Sequence, residues 1–221
     1  MLIKITAEHI LKRFDKTIVF KDISFSLSTP ASLAVTGDNG TGKSTLLEIV
    51  AGIQKPSSGK MIYESDGIGI NLIQLQDNMG FSSPKINPYG ELTALENLQF
   101  VFTKTDDKSI NNCTEQLKDI LDKFDLYNES NKQVKYLSSG MKQRLRLMFA
   151  IVNDPHIIIL DEPGSNLDVR GKELIYKYID TVKNQKIIIV ATNQNEEARL
   201  CDVKINLGQQ CFKKSTEGFS S

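Results

Sequence analysis

A glycine-rich stretch near the beginning of the chain has the residue types and the spacing that bind phosphate groups. It satisfies the pattern G-x-x-x-x-G-K-[ST] and consists of Gly37, Asp38, Asn39, Gly40, Thr41, Gly42, Lys43, Ser44 and Thr45. Glycines let such a loop turn tightly, so that successive backbone N–H groups point into one concavity. We expect Lys43 to bring positive charge to the β- and γ-phosphates of a nucleotide and the Ser44 hydroxyl to bind Mg²⁺.

Two carboxylates form a second group with matching chemistry. Asp161 and Glu162 directly follow the apolar run Ile157–Leu160, and ligands of open α/β sheets bind at the carboxyl ends of such strands. Adjacent strand residues point in opposite directions, so Asp161 can hold Mg²⁺ or its waters while Glu162 orients a water that attacks the γ-phosphate. Combined with the phosphate loop, the pair predicts hydrolysis of a nucleoside triphosphate.

The elements that must position these residues are those of an α/β fold. Leu33–Thr36 is predicted to be a buried strand, and Ser44–Ala51 has the apolar spacing of a helix. Two later β-branched runs, at Ile157–Leu160 and Ile187–Val190, are typical of a parallel sheet that is covered on both faces. Before residue 35 the apolar residues alternate as in antiparallel strands. We therefore predict a phosphate-loop core with a mostly parallel sheet and an antiparallel β subdomain.

Residues 91–152 differ from the rest because their apolar spacing is mainly helical. A polar link at Lys104–Asn112 interrupts this spacing, and we interpret the segment as a helical lobe. The polar residues at 209–221 indicate a loosely held tail. The predicted organisation is one domain over residues 1–208 that contains the helical lobe.

Composition excludes several other classes of protein. Lys plus Arg number 27 and Asp plus Glu number 27, so no basic excess indicates nucleic acid, and we expect no such partner. No apolar run approaches the ~20 residues of a membrane-spanning helix, and the first residues lack the pattern of an export signal. These features favour the cytoplasm. The 3 cysteines form no C-x-x-C pair, so we expect neither a zinc site nor a disulfide framework.

The segment Tyr136–Arg146, with the sequence YLSSGMKQRLR, narrows the class of nucleotide protein. It resembles the LSGGQ signature in the ATP-binding subunits of ABC transporters. The five signature positions are occupied by Leu137, Ser138, Ser139, Gly140 and Met141. From the residues alone, Ser138 or Ser139 can cap a helix that ends near Asn153. The N-terminus of such a helix is a second place where an anion could bind.

The resemblance covers residues 1–208 and implies partners as well as chemistry. In this family the signature contacts the γ-phosphate of ATP held by a second ATPase subunit. The resemblance therefore implies a head-to-tail homodimer or heterodimer with ATP between the subunits. It also implies Mg²⁺ as cofactor and a separate transmembrane permease, which would hold the chain at the cytoplasmic face of the membrane. Phe14 occupies the segment whose aromatic residue stacks on adenine, although an ordinary core position is the alternative.

Two positions depart from the family pattern. Pro84 stands where the linker to the helical lobe usually has a glutamine, and proline offers neither a side-chain donor nor a backbone N–H. Ser82 or Ser83 could replace that contact through a water. Asn193 stands where the family usually has a histidine that touches the γ-phosphate, and an amide cannot carry the positive charge. A neutral loop residue is the alternative for Asn193, and both departures favour slow hydrolysis.

Together these features predict an ABC-type ATPase that powers transport by a separate membrane subunit, with Glu162 and Asn193 as catalytic residues and Ser44 and Asp161 as metal ligands. Two alternatives stay open. One is a nucleotide-binding regulatory module with little turnover, and the other is a soluble ABC protein that acts outside transport. Mg²⁺-dependent phosphate release that is abolished by Lys43→Ala distinguishes the enzyme from the regulatory module.

Overall fold

The computed structural model describes residues 1–102 and 110–208, with side chains described for 1–102 and 114–208. Its strands are β1 (Ile3–Phe14), β2 (Thr17–Ser28), β3 (Ala31–Thr36), β4 (Ser58–Ser65), β5 (Ile68–Gly69), β6 (Met79–Ser82), β7 (Ile157–Asp161), β8 (Ile187–Thr192) and β9 (Val203–Asn206). Its α-helices are α1 (Lys43–Val50), α2 (Leu72–Gln76), α3 (Ala94–Val101), α4 (Ile110–Lys123), α5 (Ser139–Ile151), α6 (Val169–Val182) and α7 (Asn195–Ala198).

A five-stranded parallel sheet with the order β6-β7-β8-β3-β9 forms the centre of the molecule. Successive residues of β7 face two different cores, which explains why the whole strand is apolar. Ile157 and Ile159 pack against α1 and the antiparallel strands, whereas Ile158 and Leu160 pack against the helical lobe. All four side chains are fully buried. The prediction of a parallel sheet covered on both faces is confirmed.

A second sheet is antiparallel and has the order β2-β1-β4-β5. Sequence analysis anticipated antiparallel strands before residue 35 but not β4 and β5. Tyr63 is the one residue of β4 that is buried, and both residues of β5 are exposed. These short strands therefore lack the apolar alternation that a sequence pattern needs.

The helical lobe is built from α3, α4 and α5. Their inward side chains share one core that includes Leu98, Leu117, Leu121 and Leu145, together with Phe124, which directly follows α4. A capping box begins α3, in which the Thr93 side chain accepts from the backbone of Glu96 and the Glu96 side chain accepts from the backbone of Thr93.

Parts of two predicted polar segments cannot be compared with the structure. Residues 104–109 of the predicted polar link lie outside the described residues, and 110–112 form the first turn of α4. The tail at 209–221 also lies outside them. Among the helices of the described ranges, none combines the length and the apolar character required to cross a bilayer.

Candidate functional site

Four neighbouring parallel strands end at the same edge of the central sheet, and each is followed by a residue with candidate chemistry. Ser82 of β6 pairs with Leu160 of β7, and Asp161 pairs with Ala191 of β8. Thr36 of β3 pairs with Thr192 of β8. The linker, the acidic pair, Asn193 and the phosphate loop therefore leave the sheet side by side. The structure brings Asn39 of the phosphate loop next to Asn193, which is 154 positions away in the chain.

The phosphate loop, residues 37–45, turns between β3 and α1. The Lys43 ammonium donates to the carbonyl oxygens of Gly37 at 2.9 Å and Asp38 at 3.0 Å, so it lies across the loop. An ammonium group has three donors, and these two bonds leave one proton for a phosphate oxygen. Because the first turn of α1 also presents backbone N–H groups without intrahelical partners, the loop favours an anion.

Gly42 shows why this loop requires glycine. It is the N-cap residue of α1 and has a left-handed backbone with φ 97°. A Cβ atom at Gly42 would lie 2.4 Å from Val19 Cγ1 and 2.9 Å from Phe20 Cδ1. The hairpin of β1 and β2 therefore packs directly against the start of α1, and no larger residue fits between them.

Asp161 has the properties of a cation ligand. Its side chain is 3% exposed, and its Oδ1 atom has no hydrogen-bond partner among the residues that the structure describes. Burial raises the pKa of the Asp161 carboxyl, hydrogen bonding with Ser44 lowers it, and the negative charges of Glu162 and Glu48 raise it. A buried carboxylate oxygen without a donor, on a side chain that is hydrogen-bonded to a serine hydroxyl, suits Mg²⁺.

Glu162 follows β7 with an unusual backbone. Its φ is 49°, a left-handed conformation that non-glycine residues rarely adopt. Its N–H donates to the carbonyl of Ala191 at 2.9 Å, and its own carbonyl accepts from Gln143 Nε2 at 3.2 Å. The side chain is partly exposed. The backbone of Glu162 is therefore held on two sides, while its carboxylate remains accessible.

Asn193 lies directly after β8 and contacts the phosphate loop. Its Nδ2 donates to Asn39 Oδ1 at 3.2 Å, and its side chain is exposed. The amide therefore stands at the entrance of the loop, where it could donate to a phosphate oxygen instead.

The residues of the signature lie at the beginning of α5. The Ser138 hydroxyl accepts from the Met141 backbone N–H at 3.2 Å and caps the helix, so Ser138 is the capping residue of the two that the sequence allowed. Ser138 and Ser139 are exposed. A Cβ on Gly140 would lie 3.3 Å from Asn166 O, so the signature packs against the loop after the acidic pair. No hydrogen bond within the described ranges joins the signature to the phosphate loop of the same chain.

Phe14 is 50% exposed at the end of β1, so it is not a core residue. The Lys12 ammonium lies 4.9 Å from its ring centroid. An exposed ring with a cation on it is available for stacking on a base.

The linker between β6 and α3 consists of residues 83–93, and Pro84 is exposed within it. Ser83 is buried, and its hydroxyl lies 3.4 Å from Asp161 Oδ2. Lys85 forms an ion pair at 2.6 Å with Glu48, which is on α1 and nearly buried. The linker thus contacts both the acidic site and the helix of the phosphate loop.

Two buried polar residues beside the site were not predicted from the sequence. Gln143 of α5 is 2% exposed and donates to the carbonyls of Glu162 and Pro163. Glu197 of α7 is fully buried, and its Oε1 accepts from the Gly164 N–H at 3.0 Å and the Tyr176 hydroxyl at 3.2 Å. Burial raises the pKa of the Glu197 carboxyl. Both residues lie in polar stretches of the sequence, where nothing distinguishes a buried polar residue from an exposed one.

Comparisons with known proteins agree with this geometry. Residues 20–165 match the family model described as ABC transporter. The chain is 32% identical over 193 residues to the Nod factor export ATP-binding protein I of Rhizobium sp. (strain N33), covering 86% of this chain and 63% of that protein. It is 28% identical over 222 residues to the ABC transporter ATP-binding protein NatA of Bacillus subtilis, covering 96% of this chain and 90% of that protein.

The fold is also similar to that of MJ0796, a bacterial ABC transporter cassette solved as a dimer. The TM-score is 0.81 at 24% identity, with 92% of this chain and 95% of that chain covered. The fold and the family inferred from the phosphate loop and the signature are thus confirmed. The chain belongs to the ABC transporter family.

Proposed function

We propose that this chain is the ATP-hydrolysing subunit of an ABC transporter, working as one half of a head-to-tail dimer and docked on a separate transmembrane subunit. The observation that carries the proposal is the convergence at one sheet edge of the phosphate loop, the acidic pair and Asn193. Anion-binding and cation-binding groups lie next to each other there, as a metal–nucleotide complex requires.

Nucleotide binding begins with the phosphate loop. Lys43 and the backbone N–H groups at the start of α1 hold the β- and γ-phosphates, and the exposed ring of Phe14 stacks on the adenine. Base stacking on an aromatic side chain is worth about 1–3 kcal/mol in nucleic-acid complexes. Removing the Phe14 ring is therefore expected to weaken binding without abolishing it.

Mg²⁺ fits the pair formed by Ser44 and Asp161. The unpartnered Oδ1 of Asp161 and the Ser44 hydroxyl are both oxygen ligands, which Mg²⁺ prefers. When bound, the ion would neutralise charge on the phosphate oxygens.

Hydrolysis is assigned to Glu162 and Asn193. The carboxylate of Glu162 is partly exposed at the end of β7, where it accepts a hydrogen bond from the attacking water and orients it. The Asn193 amide exchanges its hydrogen bond to Asn39 for one that it donates to a γ-phosphate oxygen. The amide adds no positive charge, so we expect slower turnover than a protonatable side chain would allow.

The signature completes the site of the partner subunit. Ser138 and Ser139 are exposed at the N-terminus of a 13-residue helix, and such a terminus attracts an anion. In a two-fold dimer each signature faces the phosphate loop of the other chain, so that ATP joins the two subunits. The similar cassette MJ0796 has been solved as a dimer, and a second structure of it is bound to ADP and Pi.

Transport is supported by the relatives, whose names describe ATP-binding proteins of Nod factor export and of an ABC transporter. The chain spans 63% of the length of the Rhizobium relative. We assign it a place at the cytoplasmic face of a membrane, where the groove between the core and the helical lobe receives the transmembrane subunit.

The first experiment measures Mg²⁺-dependent phosphate release by the purified chain. Lys43→Ala is expected to abolish release because it removes the charge that holds the β- and γ-phosphates. Lys60→Ala is the matched control, since Lys60 is 65% exposed in a surface ion pair with Glu8. Phosphate release that survives in Lys43→Ala would contradict the assignment of the site.

The second experiment separates binding from turnover. Glu162→Gln is expected to bind ATP, to lose most turnover and to accumulate a dimer in MgATP, measured by light scattering. A variant with wild-type turnover would remove Glu162 from the mechanism.

The regulatory module remains the second candidate because Pro84 has no side-chain donor and the Asn193 amide cannot carry positive charge. A wild-type chain that binds ATP tightly and releases no phosphate, even with its membrane subunit, would favour that function.

A further inference from the structure

A chain of side-chain hydrogen bonds joins the linker to the backbone of Glu162 through α5. Arg146 Nε donates to the carbonyl of Ile86 in the linker at 2.7 Å, and Arg146 Nη1 donates to Gln143 Oε1 at 3.2 Å. Gln143 Nε2 then donates to the carbonyls of Glu162 at 3.2 Å and Pro163 at 3.3 Å. Two side chains, one turn apart on a single helix, thus connect two loops that leave neighbouring strands of the sheet.

Both polar atoms of the Gln143 amide have partners in this chain of bonds. A glutamine amide has two N–H donors and one carbonyl acceptor, and here the donors go to two backbone carbonyls while the acceptor receives Arg146. Because Gln143 is 2% exposed, water does not compete for these bonds. Arg146 therefore fixes which way the Gln143 amide points, and the amide in turn holds the turn after β7.

The backbone of Glu162 needs such support. A left-handed conformation costs a non-glycine residue free energy, and it persists only where neighbouring groups hold it. At φ 49° the Glu162 carbonyl is held by Gln143 and by the N–H of Ser165 at 3.1 Å. Loss of the Gln143 bond removes a contact that holds the residue and directs its side chain.

We propose that Gln143 and Arg146 are positioning residues that couple the linker to Glu162, so that a displacement of Ile86 changes the orientation of the Glu162 carboxylate. The linker is also held on its other side, because Lys85 pairs with Glu48 on α1. Pro84 has no N–H group to donate a hydrogen bond within the linker, whereas Arg146 donates one to the linker from α5. The inference on catalysis rests on the proposed hydrolysis, whereas the mechanical coupling does not.

Hydrogen exchange of the full chain tests the coupling without nucleotide. In Arg146→Ala, we expect faster amide exchange in two separate peptides, one over residues 83–88 and one over 161–166. The loss of about one hydrogen bond corresponds to an exchange increase of about fivefold to tenfold. Gln143→Met should also speed amide exchange in these two peptides. Arg199→Ala is the matched control, because Arg199 is an exposed arginine that takes no part in these bonds.

The decisive result is the exchange of 161–166, which Arg146 does not touch directly. Faster exchange at 83–88 alone would overturn the coupling, since it would show that Arg146 holds only the linker. Arg146→Lys serves as the conservative variant. A lysine keeps the charge and has three donors on one nitrogen, but it lacks the rigid fork that places separate donors at Ile86 and Gln143, so we expect an intermediate effect.

Kinetics test the positioning role. Arg146→Ala is expected to lower kcat about tenfold while KM for MgATP changes by less than about twofold, since the residue touches no phosphate. In the Glu162→Gln background, Arg146→Ala should cause no further loss of residual turnover, because it acts through Glu162. An additive loss would overturn this role. A wild-type chain without turnover would refute the proposed function, and hydrogen exchange would still decide the coupling.

Discussion

Replacing Gly42 by alanine tests the packing of the phosphate loop against the β1–β2 hairpin. The left-handed backbone at φ 97° costs an alanine about 1–2 kcal/mol. The new Cβ would also lie 2.4 Å from Val19 Cγ1 and 2.9 Å from Phe20 Cδ1. Phe20 is 1% exposed and cannot swing away, so overpacking adds about 1–3 kcal/mol. We expect Gly42→Ala to lower the free energy of unfolding by about 2–5 kcal/mol.

Urea denaturation without nucleotide measures this effect, and Gly67→Ala separates its two causes. Gly67 also has a left-handed backbone, with φ 80°, but no atom lies within 4 Å of its would-be Cβ. The free energy of unfolding of Gly67→Ala should therefore fall only by the cost of the backbone conformation, about 1–2 kcal/mol. Val19→Ala removes the nearest colliding atom, so the double variant with Gly42→Ala should recover part of the steric loss. Equal stability of the Gly42 and Gly67 variants would refute the packing argument.

Two further predictions concern buried or capping carboxylates. Burial raises the pKa of Glu197, so the folded state holds a proton that the unfolded chain loses, and stability falls as the pH rises above the usual carboxyl range. The side chain of Glu197→Gln cannot ionise, so the Tm of this variant minus that of wild type should increase from pH 5 to pH 8. A Tm difference that does not change with pH would contradict the raised pKa. Asp168 caps α6 by accepting from the Gly171 N–H at 2.8 Å, and Asp168→Ala should cost about 1 kcal/mol in urea denaturation. An unchanged midpoint would mean that water replaces the cap.

Much of the central sheet could be predicted because its residues carry the pattern of a buried strand. The runs at Ile157 and Ile187 are apolar on both faces, and only a covered parallel sheet requires that. The phosphate loop was predictable because its glycines are required by backbone geometry. A serine cap on α5 was predictable from local side-chain chemistry, but the choice of Ser138 over Ser139 came from the structure. By contrast, β4 has a single buried residue and β5 has none, and these strands form by pairing with neighbours, β4 with β1 and β5 with β4.

By itself, the sequence determined which chemical groups this protein has: a phosphate-binding loop, an acidic pair after a buried strand, and a signature of the ABC family. These are local properties, since each depends on residues that are neighbours in the chain. Only the tertiary structure decided which groups meet. The bonds from Ile86 through Arg146 and Gln143 to Glu162 join residues that are up to 60 positions apart. Such contacts arise when the helical lobe packs on the sheet, and no local pattern records them.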